Sequence, residues 1–277
     1  MVSPDSELNF VSFATLLDSD KKLLGERLNW LYVASGRDLL YQSSVEGSEQ
    51  VTLLGDPVSR DPSFPPLPFT RVECEQVADL LQRSAGLTTE VYLGEAASET
   101  QFKALRHPRI LHVASHGFFE KEQSERANDP MSASGLVLSS APESNEDGFL
   151  TAGEVSLLDL KGTHLVSLSA CETGLGSAQA GEGVLGLRRG FLRAGAENLL
   201  MTLWPVADDS TARFMVDFYT ENLRNSPGIA LALTQREWFR RLVKERSRAD
   251  AVRLAGPFVL SLQGRWDLES PPPIKMP

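Results

Sequence analysis

Short apolar, β-branched runs recur along the chain: VTLLG (51–55), EVYLG (90–94), RILHVAS (109–115), HLVSLSA (164–170), NLLMTLW (198–204) and FVLSLQG (258–264). Most are continuously apolar rather than alternating. That is the pattern of strands covered on both faces, as in a parallel sheet. Helical periodicity lies between them. Glu73–Ser84 sets Val77, Leu80 and Leu81 on one face, and Ala97–Leu105 opens on Ser98 before Glu99. Gly183–Ala194 carries Val184, Leu187, Phe191 and Leu192; Asp208–Leu223 starts on an Asp cap candidate and buries Phe214, Met215, Phe218 and Tyr219. Strand alternating with helix predicts an α/β domain, with right-handed crossovers placing helices on both faces.

Four segments fall outside this alternation. Residues 1–50 read as a helix and a hairpin (WLYVAS–GRD–LLYQSS), an N-terminal extension of the domain at 51–268. Residues 56–69, DPVSRDPSFPPLPF, form a Pro-rich loop. Residues 120–148 are polar and turn-rich, with one strand candidate, GLVLSS, and read as an excursion over the strand ends. The end of the chain, 269–277, reads as a disordered tail.

Composition narrows the function. The chain has 277 residues and a formal charge of -10, with no long Lys/Arg run. That disfavours sequence-independent binding of nucleic acid or anionic membrane. No apolar run approaches the roughly 20 residues that span a bilayer, and MVSPDSELNF has no basic-then-apolar signal. The expected location is the cytoplasm. Two cysteines, Cys74 and Cys171, make neither a disulfide framework nor a CxxC zinc site.

In open parallel sheets ligands bind outside the carboxyl ends of the strands. Two strands here end in reactive residues: RILHVAS runs into His116-Gly117, and HLVSLSA runs into Cys171, then Glu172-Thr173-Gly174. A thiol attacks carbonyl carbon as thiolate and needs a base or a lowered pKa. His116 is the base candidate. The backbone N–H groups of Gly117 and Cys171 are oxyanion-hole candidates. Taken alone, a strand-end cysteine is more often packing, and a lone histidine more often a satisfied core residue. The combination, in this order, raises nucleophilic catalysis to an even contest with that bland reading.

Rival chemistries have less behind them. His112 and His116 on one strand sit about 13 Å apart, too far to share one zinc. GLGSAQAGEG contains neither GxGxxG nor GxxxxGK[ST]. Asp208-Asp209 is simply read as a helix start. Cys74 falls on a helix and reads as packing, and His107 and His164 as edge or loop residues.

These residues resemble a known family. ILHVASHGFF, the run from GFLTAGEVSLLDLKGTHLVSLSACETGLG through FLRAGAENLLMTLWPVADDSTARFMVDFY, and LLGDP…LPFTRVECEQVADLL are similar to the CHAT domain, within the caspase/separase-like cysteine peptidases. The likeness covers roughly residues 50–240. It implies a caspase-like α/β fold with a mostly parallel six-stranded sheet and helices on both faces. It implies hydrolysis of peptide bonds in a protein substrate, by a dyad of His116 and Cys171, with no metal and no cofactor. A regulatory protein partner, TPR-containing in the family pattern, and a role in prokaryotic defence or cell-death-like systems follow from the same likeness. Separase-like peptidases hold a basic P1 residue with an acid after the LW strand, which here is Asp208, with Glu172 a second candidate. AGPFVLSLQGRW departs from the family by lacking an internal tryptophan. Two other classes stay open at this level: a catalytically silent interaction module, and a thiol hydrolase or acyltransferase for small molecules.

Overall fold

The structure is a computed structural model that describes residues 1–41, 45, 48–119, 130–140, 145–172 and 180–264, with the backbone alone at 130, 171–172 and 180–185. Among the described residues its centre is one sheet of eight strands: β1 (Gln50–Gly55), β2 (Thr88–Leu93), β3 (Ile110–Phe119), β4 (Ser134–Val137), β5 (Phe149–Thr151), β6 (Leu165–Glu172), β7 (Asn198–Thr202) and β8 (Phe258–Leu262). The main path runs β2-β1-β3-β6-β7-β8. Its first five strands are mutually parallel, and β8 closes the edge antiparallel to β7. β4 folds back antiparallel on the distal half of β3 and carries β5 with it.

The continuously apolar runs are strands for the expected reason: β1, β7 and β8 are buried at nearly every position, covered on both faces. EVYLG is the exception. It forms the outer part of β2, an edge strand that is mostly exposed or half-buried.

Among the described residues eight helices supply the two layers: α1 (Pro68–Ala85), α2 (Glu99–Lys103), α3 (Pro130–Ala133), α4 (Ala152–Val155), α5 (Ala180–Ala194), α6 (Asp208–Asn222), α7 (Pro227–Glu245) and α8 (Arg248–Ala255). On one face, Cys74, Val77, Phe214, Phe218, Phe239 and Leu254 pack against alternate strand residues such as Leu53 and Leu260. On the other, Phe102, Val155 and Phe191 pack against Leu54, Leu111 and Val166. Local chemistry sets the ends. Pro68 stands at the start of α1, and Gly86, at φ 63°, ends it in the left-handed region. The Ser98 and Ser247 hydroxyls cap α2 and α8, and Thr151 and Glu154 form a capping box on α4.

The N-terminal segment departs from the expected helix and hairpin. Residues 1–41 hold four 3-10 turns, one of them across the predicted hairpin at Gly36–Leu40. The segment is tied down by Tyr32, whose backbone exchanges hydrogen bonds with Leu260 and Leu262 and so covers the outer edge of β8. A 3-10 turn needs only one i→i+3 bond, so a segment without sustained periodicity adopts it readily. α1 also starts five residues before the apolar periodicity, because Pro68 opens it.

Candidate functional site

β1 lies between β2 and β3, so the connections leave its neighbourhood in opposite directions. In open parallel sheets such a reversal marks the carboxyl ends of the adjoining strands, here β1, β3 and β6, as the place where ligands bind. β3 and β6 are paired in parallel from Ile110↔Leu165 to Gly117↔Glu172, and His116 is opposite Cys171 in this register. Both residues therefore stand at the last rungs of the parallel ladder. The side chains of Cys171 and Glu172 lie outside the described residues, as do 120–129 and 141–144 of the polar excursion and 173–179 of the glycine-rich loop. β3 does not stop at His116 as the sequence suggests. It continues to Phe119, where β4 pairs with it. Gly135 of β4 lets this happen: a Cβ there would lie 2.2 Å from the Leu150 carbonyl oxygen and 2.6 Å from the Phe118 ring.

His116 is only 4% exposed. The Pro-rich loop after β1 folds over it. Its Nε2 lies 2.6 Å from the Pro65 carbonyl oxygen, and the Phe64 ring packs 5.6 Å from the imidazole. A carbonyl oxygen only accepts, so Nε2–H donates, and in the neutral ring the lone pair is on Nδ1. The contact is 51 residues away in sequence and uses a backbone atom, so no side-chain pattern announces it. Phe64 continues into an aromatic group with Phe149 and Phe118. The loop is fixed at its other end: Val58 N–H donates to Ser139 Oγ, and Asp56 pairs with Arg71 at 2.7 Å.

Asp208 starts α6 without capping it. The carboxylate instead accepts the Phe69 N–H at 2.9 Å, capping the first turn of α1. Burial raises its pKa above the ordinary carboxylate value. The Phe69 N–H bond and the positive potential of His116 pull the other way, and the Glu73 and Asp209 charges add to the rise. Asp208 thus shares an electrostatic neighbourhood with His116. Asp61, in the Pro-rich loop, closes its own turn by accepting the Ser63 N–H.

Beneath this edge is a polar network that the sequence reading did not pick out. Glu73 of α1, fully buried, accepts the Ser169 hydroxyl at 3.0 Å through Oε2. Its Oε1 is 3.2 Å from His112 Nε2, within ion-pair reach but misaligned for a hydrogen bond. His112 Nδ1 meets the Ser167 hydroxyl, which in turn meets the Tyr219 hydroxyl. Burial raises the Tyr219 phenol. The signal was present: His112, Ala114 and His116 share strand parity, as do Ser167, Ser169 and Cys171. Polar residues at every second position of apolar runs mark one face for a common partner.

The remaining candidates are structural. Cys74 is buried, and burial first, then the Glu73, Glu75 and Asp56 charges, push its thiol well above the usual value. His107 lies against Asp159 and the Lys161 carbonyl, and His164 against Glu197. Glu99, Glu146 and Glu154 converge within metal-ligand spacing, but the Lys103 ammonium fills the cluster at 2.7, 2.6 and 2.9 Å. Among the described residues no helix is long and apolar enough to cross a membrane.

The family model described as CHAT domain matches residues 1–250. The N-terminal segment is thus included in the family match. No curated protein matches the chain. Among solved structures, separase of Saccharomyces cerevisiae, in its complex with securin, aligns over 89% of this chain with a TM-score of 0.51 and 14% identity. The chain spans 14% of that separase chain, and at this identity the likeness is one of fold. The Arg-specific cysteine proteinase gingipain R aligns over 82% of this chain and 50% of its own, at 10% identity and a TM-score of 0.46.

Proposed function

The chain belongs to the CHAT-domain family, and from that premise we propose that it is a cysteine endopeptidase acting through His116 and Cys171. One observation carries the reading: His116 is opposite Cys171 at the carboxyl end of the β3–β6 pair. The Pro65 carbonyl holds the ring with its lone pair on Nδ1. In the proposed reaction Nδ1 takes the Cys171 thiol proton, and the thiolate attacks the scissile carbonyl carbon. The backbone N–H groups of Gly117 and Cys171 bind the oxyanion. Collapse expels the amine, which His116 protonates, and leaves a thioester. Water, deprotonated by His116, then releases the acid and restores the thiol.

A basic P1 side chain would pair with Asp208, with Glu172 as a second carboxylate on the rim. The Asp208 carboxylate is half-buried and has one oxygen committed to Phe69, which leaves Oδ1 for a ligand. A cation entering such a site needs a partner charge there. Separase was solved with securin. From the CHAT-family resemblance, we propose further that this chain has a regulatory protein partner, TPR-containing, and acts in the cytoplasm in a prokaryotic defence or cell-death-like system.

The test is a peptide-library digest by the wild-type chain, Cys171→Ala and His116→Ala. Cleavage by the wild type, lost in both variants, supports the dyad. Equal cleavage by Cys171→Ala would remove Cys171 from the mechanism. No cleavage and no labelling of Cys171 by a peptide electrophile, with or without partner, would leave a silent interaction module.

A further inference from the structure

Behind the candidate P1 acid lies a second carboxylate, which the proposed reaction does not use. Asp208 Oδ2 accepts the Phe69 N–H in the first turn of α1, and Glu73 stands four residues further along that helix. Residues four apart share a helix face, about 6 Å apart along the axis, and side chains tilt toward the N-terminus. The Glu73 side chain therefore leans toward Asp208 from beneath. Glu73 is fully buried, whereas Asp208 is half-buried and keeps Oδ1 for a ligand.

The surroundings of Glu73 suit an anion. Ser169 of β6 donates its hydroxyl proton to Oε2, and His112 of β3 sets Nε2 3.2 Å from Oε1. These groups offset part of the cost of burying a carboxylate. The Ser167 hydroxyl, 2.9 Å from His112 Nδ1, can donate to it and complete the ring in its neutral form. His112 then leaves the negative charge uncancelled, and among the described residues no lysine or arginine pairs with Glu73. The charge is felt at Asp208. Burial raises the Asp208 pKa most and the Phe69 N–H opposes it; the Glu73 charge raises it further, ahead of Asp209, while His116 lowers it. Groups from α1, α6 and β3 thus all act on this carboxylate, and Glu73 is the foremost of the charged ones.

We propose that Glu73 is a specificity-determining residue of the P1 site: it backs Asp208 with a second, sealed negative charge, so that the pair selects a cationic side chain over a neutral one. The inference rests on the assignment of Asp208 to P1. Glu73 touches no substrate. It acts through its field, which the protein interior screens less than water does. Two carboxylates on one helix face repel, and a cation beside Asp208 relieves that repulsion, whereas a neutral side chain leaves it in place.

The experiment is calorimetric titration of the full chain with benzamidine, a planar cation, and with benzamide, its neutral counterpart, from neutral to acid pH. The wild type is expected to bind benzamidine saturably and benzamide not at all. Glu73→Gln should weaken benzamidine about fivefold at neutral pH. It should also move the midpoint at which binding is lost on acidification to lower pH, because Asp208 without that neighbour takes up its proton later. Tyr219→Phe loosens the same network and changes no charge, so it should bind as the wild type does. If Glu73→Gln does not fold, Glu73→Met with His112→Leu replaces the buried pair by apolar side chains and should show the same weakening and the same shift. No benzamidine binding by the wild type, or undiminished binding by Asp208→Asn, overturns the P1 assignment and this inference with it. Binding lost in Asp208→Asn but unchanged in affinity and midpoint without the Glu73 charge overturns this inference alone.

Discussion

Cys74 and Cys171 are the same residue type in two different settings. A Cβ added at Gly55 would come within 2.5 Å of Cys74 Sγ, a measure of how closely β1 covers that thiol. Burial and three nearby carboxylates also keep it protonated. The thiolate is the nucleophile, so Cys74 is inert at neutral pH. Alkylation with iodoacetamide followed by peptide mass mapping is expected to modify Cys171 and to spare Cys74 in the folded chain. At Asp208 the raised pKa carries a sign. The unfolded carboxyl has the lower pKa, so its contribution to stability is present below that value and is lost as pH rises through the folded one. Asp208→Asn therefore should not lower stability at neutral pH, because the amide oxygen still accepts the Phe69 N–H. It should cut cleavage after basic P1 residues by about ten- to a hundredfold, measured as kcat/KM. In the wild type, that P1 preference should weaken with acid at a higher pH than an ordinary aspartate would give. Tyr219→Phe removes one partner of Ser167 and should cost about 1 kcal/mol in denaturant titration.

At the scale of elements, α2 is held to the segment around β5 and α4 by one cation. Lys103 bonds Glu99, Glu146 and Glu154, and these hydrogen bonds outweigh the effect of burial and raise its pKa. Lys103→Met would leave Glu99, 1% exposed, without its counter-charge. The expected loss is about 3 kcal/mol in a denaturant titration, because removing one partner strands the other. The strands themselves were legible because covered strands are apolar at nearly every position, as in the runs that form β1, β3, β6 and β7. β2 was legible as a strand but not as an edge, since its exposure depends on which strand lies beyond it. The 3-10 turns of residues 1–41 were not legible, having no period to read. His116 and Cys171 were legible as a pair because each follows an apolar run, although β3 itself continues past His116 to Phe119. The Pro65 carbonyl was not, because a backbone acceptor has no residue-type signature. Glu73 read only as a helix position, since its partners Ser169 and His112 come from two other elements.

For the whole molecule, chain order and sheet order together make the site. β1 sends its following loop over the end of β3, and β3 and β6 become neighbours although 45 residues lie between Phe119 and Leu165. The two helical layers then fix the sheet from both faces. The likeness to separase is one of fold, and the family model described as CHAT domain matches residues 1–250. The proposed mechanism makes the residue opposite His116 in this register a nucleophile. Its most direct measurement is mass spectrometry of the intact chain after incubation with a peptidyl acyloxymethyl ketone carrying Arg at P1. One adduct on Cys171, absent in His116→Ala and still formed on Cys171 in Cys74→Ala, is the predicted result. Failure of the wild type to form that adduct, with its binding partner absent or present, would contradict the account.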